Sequence, residues 1–240
     1  MDIKNLEQSL VIFTDGSSLG NPGPGGYGAI VISPKMDEVV ELGGMKPMTT
    51  NNEMELTAIV AALSYSTNNT MAVHIFTDSS YAIEGITKWI KGWVKNGWLT
   101  KNKEDVKNKA LWQSMNDLVE MRGPDNITWH HVRSHIGIPG NECVDTIARS
   151  MAEGKRIKLY RGKLSTYPTP DVLTIPTSSP SQTKKPQKGA AYSYLAMING
   201  ELKKFSVWSE CEAYVTGKKA KFKKALSESH EKEIIKEWGF

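Results

Sequence analysis

Leu10-Val11-Ile12-Phe13-Thr14-Asp15-Gly16-Ser17 and Val73-His74-Ile75-Phe76-Thr77-Asp78-Ser79 are built alike. Each is a short apolar run, rich in β-branched and aromatic residues, that closes on Thr-Asp and then meets Gly or Ser. Runs of this kind, stopped by turn chemistry, predict buried strands. If the two strands are neighbours, Asp15 and Asp78 emerge together at one edge of the sheet. Working outward, residues 27–32 and 38–42 read as the second and third strands, separated by the turn Ser33-Pro34-Lys35. Residues 52–66 place Met54, Ala58, Ala61, Ala62 and Tyr65 at helical spacing. Helical periodicity resumes over 79–89, and again over 105–122 until Gly123-Pro124 stops it. A fifth strand over 126–132 and a last helix over 139–153, with Pro near its start, complete the set. The pattern predicts an α/β domain with a mixed five-stranded sheet flanked by helices.

Two further acids fall on the predicted helices, Glu55 in Asn51-Asn52-Glu53-Met54-Glu55 and Asp145 in Asn141-Glu142-Cys143-Val144-Asp145. Taken singly, any of the four acids is more often a cap or turn residue than a ligand. Together, in partly buried positions, they need a positive partner, because burying unpaired carboxylates is costly. A hard divalent cation, which prefers oxygen ligands, fits that need. Two such ions about 4 Å apart can activate a water and stabilise the leaving oxygen in phosphodiester hydrolysis.

The bulk numbers set the frame. With 240 residues, 39% hydrophobic and 23% charged, the chain has room for one full domain and a small second one. No apolar run approaches the roughly 20 residues of a membrane span, and Met1-Asp2-Ile3-Lys4-Asn5 does not open like a secretory signal. Two distant cysteines, Cys143 and Cys211, argue against a disulfide framework and for a reducing, cytoplasmic setting. Charge is split unevenly. Residues 1–154 carry 13 Lys/Arg against 18 Asp/Glu, a net −5, and residues 155–240 carry 17 against 8, a net +9. The basic half is suited to a polyanion. Within it, 155–189 is rich in Pro, Ser, Thr and Lys and reads as a flexible linker. Residues 190–240 regain apolar content, with a hairpin predicted around Asn199-Gly200.

Thr14-Asp15-Gly16-Ser17, the glycine-rich stretch 21–28, Thr50-Asn51-Asn52-Glu53-Met54-Glu55-Leu56, Thr77-Asp78-Ser79, and Val132-Arg133-Ser134-His135 with Gly140-Asn141-Glu142 and Val144-Asp145 closely resemble type 1 ribonucleases H. The resemblance covers about residues 8–154. It implies a ribonuclease H-like fold and an endonuclease, leaving 5′-phosphomonoester products, that cuts the RNA strand of an RNA–DNA hybrid. It implies two Mg²⁺ ions, with Mn²⁺ able to substitute, on Asp15, Glu55, Asp78 and Asp145, and it makes His135 an auxiliary general acid/base. Glu53, two residues from Glu55, faces elsewhere and reads as a rim residue. His130 and His131 read as structural. For the substrate, the resemblance implies Asn21, Asn51 and Asn52 on the hybrid. Seven lysines between 88 and 109, interleaved with Trp89, Trp93 and Trp98, resemble a basic protrusion for the DNA strand, with Trp89, Trp93 and Lys95 as contacts.

Trp208-Ser209-Glu210-Cys211 and Ala220-Lys221-Phe222-Lys223-Lys224 resemble the small hybrid-binding domain joined to many of these enzymes. That likeness implies sugar contacts from Tyr194, Trp208 and Phe222 and phosphate contacts from Lys223 and Lys224. Ala225 stands where an aromatic is usual, and the domain follows the nuclease instead of preceding it. The expected partner is an RNA–DNA hybrid, with double-stranded RNA as a further ligand of the second domain; no membrane partner is expected, and the protein is expected to be a monomer. A non-catalytic binder of hybrid or double-stranded RNA is the alternative, disfavoured by retention of all four carboxylates and His135. The absence of polymerase sequence disfavours the nuclease portion of a reverse transcriptase.

Overall fold

Strand-forming runs and amphipathic helices organise the chain as the periodicities require. The computed structural model describes residues 6–133, 137–175, 192–198, 200–216, 218, 220–225 and 227–239, the side chains of Ser229 and His230 excepted. It divides into two units, Met1–Thr177 and Ser178–Phe240. The first contains β1 (Leu10–Ser18), β2 (Gly23–Ser33), β3 (Glu38–Thr49), α1 (Asn51–Tyr65), β4 (Val73–Thr77), α2 (Ser80–Glu84), α3 (Ile90–Lys95), α4 (Lys109–Arg122), β5 (Ile127–His131), α5 (Pro139–Ala152) and β6 (Arg161–Lys163). Strands run in the order β5-β4-β1-β2-β3-β6. The first three, β5, β4 and β1, are mutually parallel, and β1, β2, β3 and β6 pair antiparallel.

Strand alternation splits the apolar residues of β1 between two cores. Leu10 and Ile12 join Leu56, Ile59, Leu63, Trp112 and Met115 under α1 and α4. Val11 and Phe13 join Val144, Ile147 and Ile138 under α5. The sheet is thus covered on both faces, and its central strands are largely buried.

Several expectations need correction. The sheet has six strands, not five. Of the expected linker 155–189, residues 155–175 instead fold back on the first unit, and residues 176–189 lie outside the described residues. Within them β6 pairs with Glu38, Val39 and Val40, so the edge of β3 is covered instead of left open. Tyr167 and Val172 are 9% and 3% exposed in the α5-side core. The composition of this stretch is polar on average, yet a few well-placed apolar side chains suffice once a sheet edge and a core face await them. Between α2 and α3 the chain opens into a π-helical turn, Gly85–Trp89, so helical structure continues to Lys95. The next helix begins at Lys109, not 105, because Asn108 is left-handed with φ 61°.

The second unit has β7 (Ser193–Ile198), β8 (Glu201–Phe205), α6 (Trp208–Val215), β9 (Ala220–Ala225) and α7 (Glu228–Glu237). Its antiparallel strands run in the order β8-β7-β9. Ile198 pairs with Glu201, and Gly200 at φ 84° closes the predicted hairpin; Asn199 itself lies outside the described residues. Helix α6 packs Cys211 and Val215 on Ala196, and α7 packs Ile234 on Leu195 and Ala225.

Candidate active site

The parallel pairing of β1 with β4 sets Thr14 beside Thr77, so the next residues, Asp15 and Asp78, lie together where that parallel pairing ends. Two glycines then admit helices to that point. A Cβ on Gly16 would lie 2.2 Å from the Glu55 backbone nitrogen, and one on Gly28, the partner of Asp15 across the ladder, 2.4 Å from the Val144 carbonyl oxygen. With glycine at both positions, α1 brings Glu55 and α5 brings Asp145 over the strand ends. Asp15, Gly16, Ser17, Asn51, Glu55, Asp78, Asn141 and Asp145 line one cleft of ≈ 280 Å³.

Crowded carboxylates perturb one another. Burial, then the charge of Asp78, with smaller contributions from Asp145 and Glu55, pushes the Asp15 carboxyl up to about 7. The Gly16 N–H donates to Asp15 Oδ1 at 2.8 Å and opposes this. Glu55 is also raised, by burial and by Asp78, against the Ser79 hydroxyl and the Asn51 amide. Asn51 Nδ2 donates to Glu55 Oε1 at 2.8 Å, and the Ser79 hydroxyl donates to the other oxygen. Asp145 accepts from Arg149 Nη2 at 2.8 and 3.0 Å.

The donor set suits a hard divalent cation. It is all oxygen, its charges repel, and Asn141 Oδ1 is buried at the cleft without a hydrogen-bond partner. As they stand, no three His, Cys, Asp or Glu side chains among the described residues are close enough to share one ion. The carboxylates are gathered in one cleft but are drawn aside, Asp145 by Arg149 and Glu55 by Asn51 and Ser79.

Other predicted positions fall as follows. His135 lies outside the described residues. Asn21 is exposed at the tip of the β1–β2 hairpin and does not line the cleft. Asn52 is exposed, and the cap of α1 is Thr50, whose side chain accepts from the Glu53 N–H at 3.3 Å. Glu53 points away from the cleft, held by Lys46 and Thr49. Trp89 and Trp93 are partly buried with their rings tilted against each other, and Trp93 also packs on the buried Trp112, while Lys95 is exposed. His130 stacks on Phe76 and shares a 2.9 Å hydrogen bond with His74; His131 meets Ser80 Oγ at 3.0 Å. In the second unit Trp208 stands between Tyr194 and Phe222, with ring centroids 5.4 and 5.6 Å away. Register puts Lys224 beside Tyr194, on the face of Phe222. Lys223 belongs to the opposite face, where Glu237 of α7 holds its ammonium at 2.7 and 2.8 Å. Asn141, Ser79 and Arg149 were not singled out from sequence. The spacing Asn141, Asp145, Arg149 lies along one helical face and could have revealed two of them.

This strand order, with an acidic cleft where the parallel strands end, is a ribonuclease H-like α/β fold. The RNase H family model matches residues 7–153, and the chain belongs to that family as a ribonuclease H enzyme. It is 46% identical over 148 residues to a Ribonuclease H of Pseudoalteromonas atlantica, an overlap of 62% of this chain and 93% of that one. It is 48% identical over 138 residues to a Ribonuclease H of Bradyrhizobium, covering 58% and 86%. Among solved structures it is similar to LC9-RNase H1, described as a type 1 RNase H with the type 2 active-site motif, at 29% identity and TM-score 0.55, over 66% of this chain and 79% of that one. It shares its fold with part of a foamy viral protease-reverse transcriptase in complex with RNA/DNA hybrid, at 20% identity and TM-score 0.54, over 62% of this chain and 21% of that one. The family match ends before the second unit begins.

Proposed function

We propose that the first unit hydrolyses the RNA strand of RNA–DNA hybrids, with Asp15, Glu55, Asp78 and Asp145 holding two divalent cations, Mg²⁺ in the first place. The observation that carries this reading is the convergence of four carboxylates, from two strands and two helices, on one small polar cleft. The ions, when bound, supply a polarised water and charge stabilisation at the scissile phosphate. The chain's own groups do the positioning. Asn51 and Ser79 hold the Glu55 carboxylate, and the Gly16 N–H fixes Asp15. Asn51 lines the cleft, and with the exposed Asn52 and Asn21 it is read as a contact to the hybrid. His135 serves as the auxiliary proton carrier, and Lys95 beside the Trp89–Trp93 pair receives the DNA backbone.

We infer that the second unit raises affinity for long hybrids, and for double-stranded RNA, through the Tyr194–Trp208–Phe222 row and Lys224, while Lys223, on the opposite face, is left out of that contact. Exposure of Trp208 and Phe222 at 37% and 51% supports a contact surface over a core role. The test is cleavage of labelled hybrid, double-stranded RNA and double-stranded DNA by Asp15→Asn, Glu55→Gln and Asp78→Asn. Each should lose cleavage of hybrid and keep hybrid binding, because an amide fills the same volume but ligates Mg²⁺ poorly. Near-normal turnover in any one removes that residue from the metal set.

A further inference from the structure

Asp145 sits midway along a ladder on one face of α5, one turn after Asn141 and one turn before Arg149. Toward the N-terminus of the helix lies the cleft, where Asn141 Oδ1 is buried and unpartnered. Toward the C-terminus lies Arg149, which takes both Asp145 oxygens on one guanidinium nitrogen, at 2.8 and 3.0 Å. A carboxylate set between Arg149 and a cation held in the cleft would divide itself between them. Granting the metal reading above, we propose that Arg149 is a positioning residue that competes with the divalent cation for Asp145 and so sets how tightly the cleft holds its ions. The pair has the right strength for this. Arg149 is 53% and Asp145 27% exposed at the side chain, and ion pairs of that exposure are weak enough to exchange. The absence, among the described residues, of any three ligand side chains closed on a point agrees with a carboxylate drawn aside.

The test is Mn²⁺ binding to the full chain without nucleic acid, read by the loss of free-ion electron paramagnetic resonance signal. Arg149→Gln should tighten binding by roughly two- to five-fold, Arg149→Lys should stay near the parent, and Arg149→Gln on an Asp145→Asn background should change little. Unchanged or weaker binding in Arg149→Gln, with the parent binding normally, overturns the competition. An equal gain on the Asp145→Asn background also overturns it, because the effect then does not pass through Asp145. If Asp15→Asn leaves Mn²⁺ binding at the parent level, it is the metal reading itself that fails. Circular dichroism of each variant separates misfolding from these outcomes. Arg149→Met, which also removes the charge and keeps an unbranched side chain, replaces Arg149→Gln if that variant does not fold, with the same expected gain and the same refuting result.

Discussion

Tyr167→Ala tests whether residues 155–175 belong to the nuclease domain. The ring is 9% exposed, packs edge-on to Tyr160 at 5.0 Å, and lies in the core under α5. Its hydroxyl donates to Glu41 Oε1 at 2.6 Å, while the Tyr160 N–H donates to Glu41 Oε2 at 2.7 Å. One carboxylate on β3 therefore clamps the returning segment at two points. Burial, then the neighbouring Cys143 thiol and Glu41 carboxylate, keep the phenol protonated well above its ordinary range, so it stays a donor. Removing a buried aromatic side chain costs about 3–5 kcal/mol. Tyr167→Phe, which keeps the ring and drops the hydroxyl, should lose about 1.5–3 kcal/mol, the worth of a hydrogen bond to a charged group. Urea unfolding followed by tryptophan fluorescence reports mainly on the first unit, where five of the seven tryptophans lie. A loss below about 1 kcal/mol for Tyr167→Ala, as for an ordinary surface site, would refute the clamp and restore this stretch to linker.

Two further outcomes follow from the same structure. Burial, reinforced by the charge His74 can carry, depresses the His130 pKa from 6.5 to about 4. The unfolded chain therefore binds more protons between those values, so this contribution to stability is full above pH 6.5 and is lost as pH falls toward 4; His130→Gln should flatten that slope, and an unchanged slope in pH-dependent unfolding counts against it. Deleting residues 178–240 should raise KM for long hybrids and reduce the salt dependence of binding while sparing turnover at saturation, with Trp208→Ala reproducing most of the loss; a truncated enzyme that binds long hybrid like the parent removes the second unit from substrate capture.

The parts of the site that depend on local pattern were legible in the sequence. Asp15 and Asp78 follow apolar-Thr runs whose strand character is local, and the ladder then sets them side by side. Glu55 separates from Glu53 because two helical steps rotate a side chain to another face, and the structure engages Glu53 with Lys46 and Thr49. What was not legible depends on partners distant in sequence. The stretch 155–175 looks like linker until β3 offers an edge and Glu41 offers a carboxylate, neither of which composition can reveal. Likewise Trp89 and Trp93 read as contacts for the DNA strand, and nothing local to them shows that Trp112, farther along the chain, packs against Trp93. Lys223 and Lys224 are a different case. Adjacent strand residues face opposite ways, so only one of them could share a face with Phe222 once β9 extended past that residue.

The cleft itself departs from what folding alone favours. Like charges converge there, and each neighbouring group relieves a different one. Glu55 receives Asn51 and Ser79, Asp145 receives Arg149, and Asp15, 8% exposed at the centre, accepts the Gly16 N–H and is pushed to about 7. None of these contacts draws the carboxylates together; they hold them near one another and apart. An arrangement that raises carboxyl pKa values works against stability near neutral pH, and the packing of α1 and α5 on β1 must offset it. The glycines at 16 and 28 show where that packing is closest, directly at the strand ends that carry the charge. Cost and close packing at the same place mark a site kept for its chemistry, and on the metal reading proposed above cation binding would be the event that recovers the electrostatic loss.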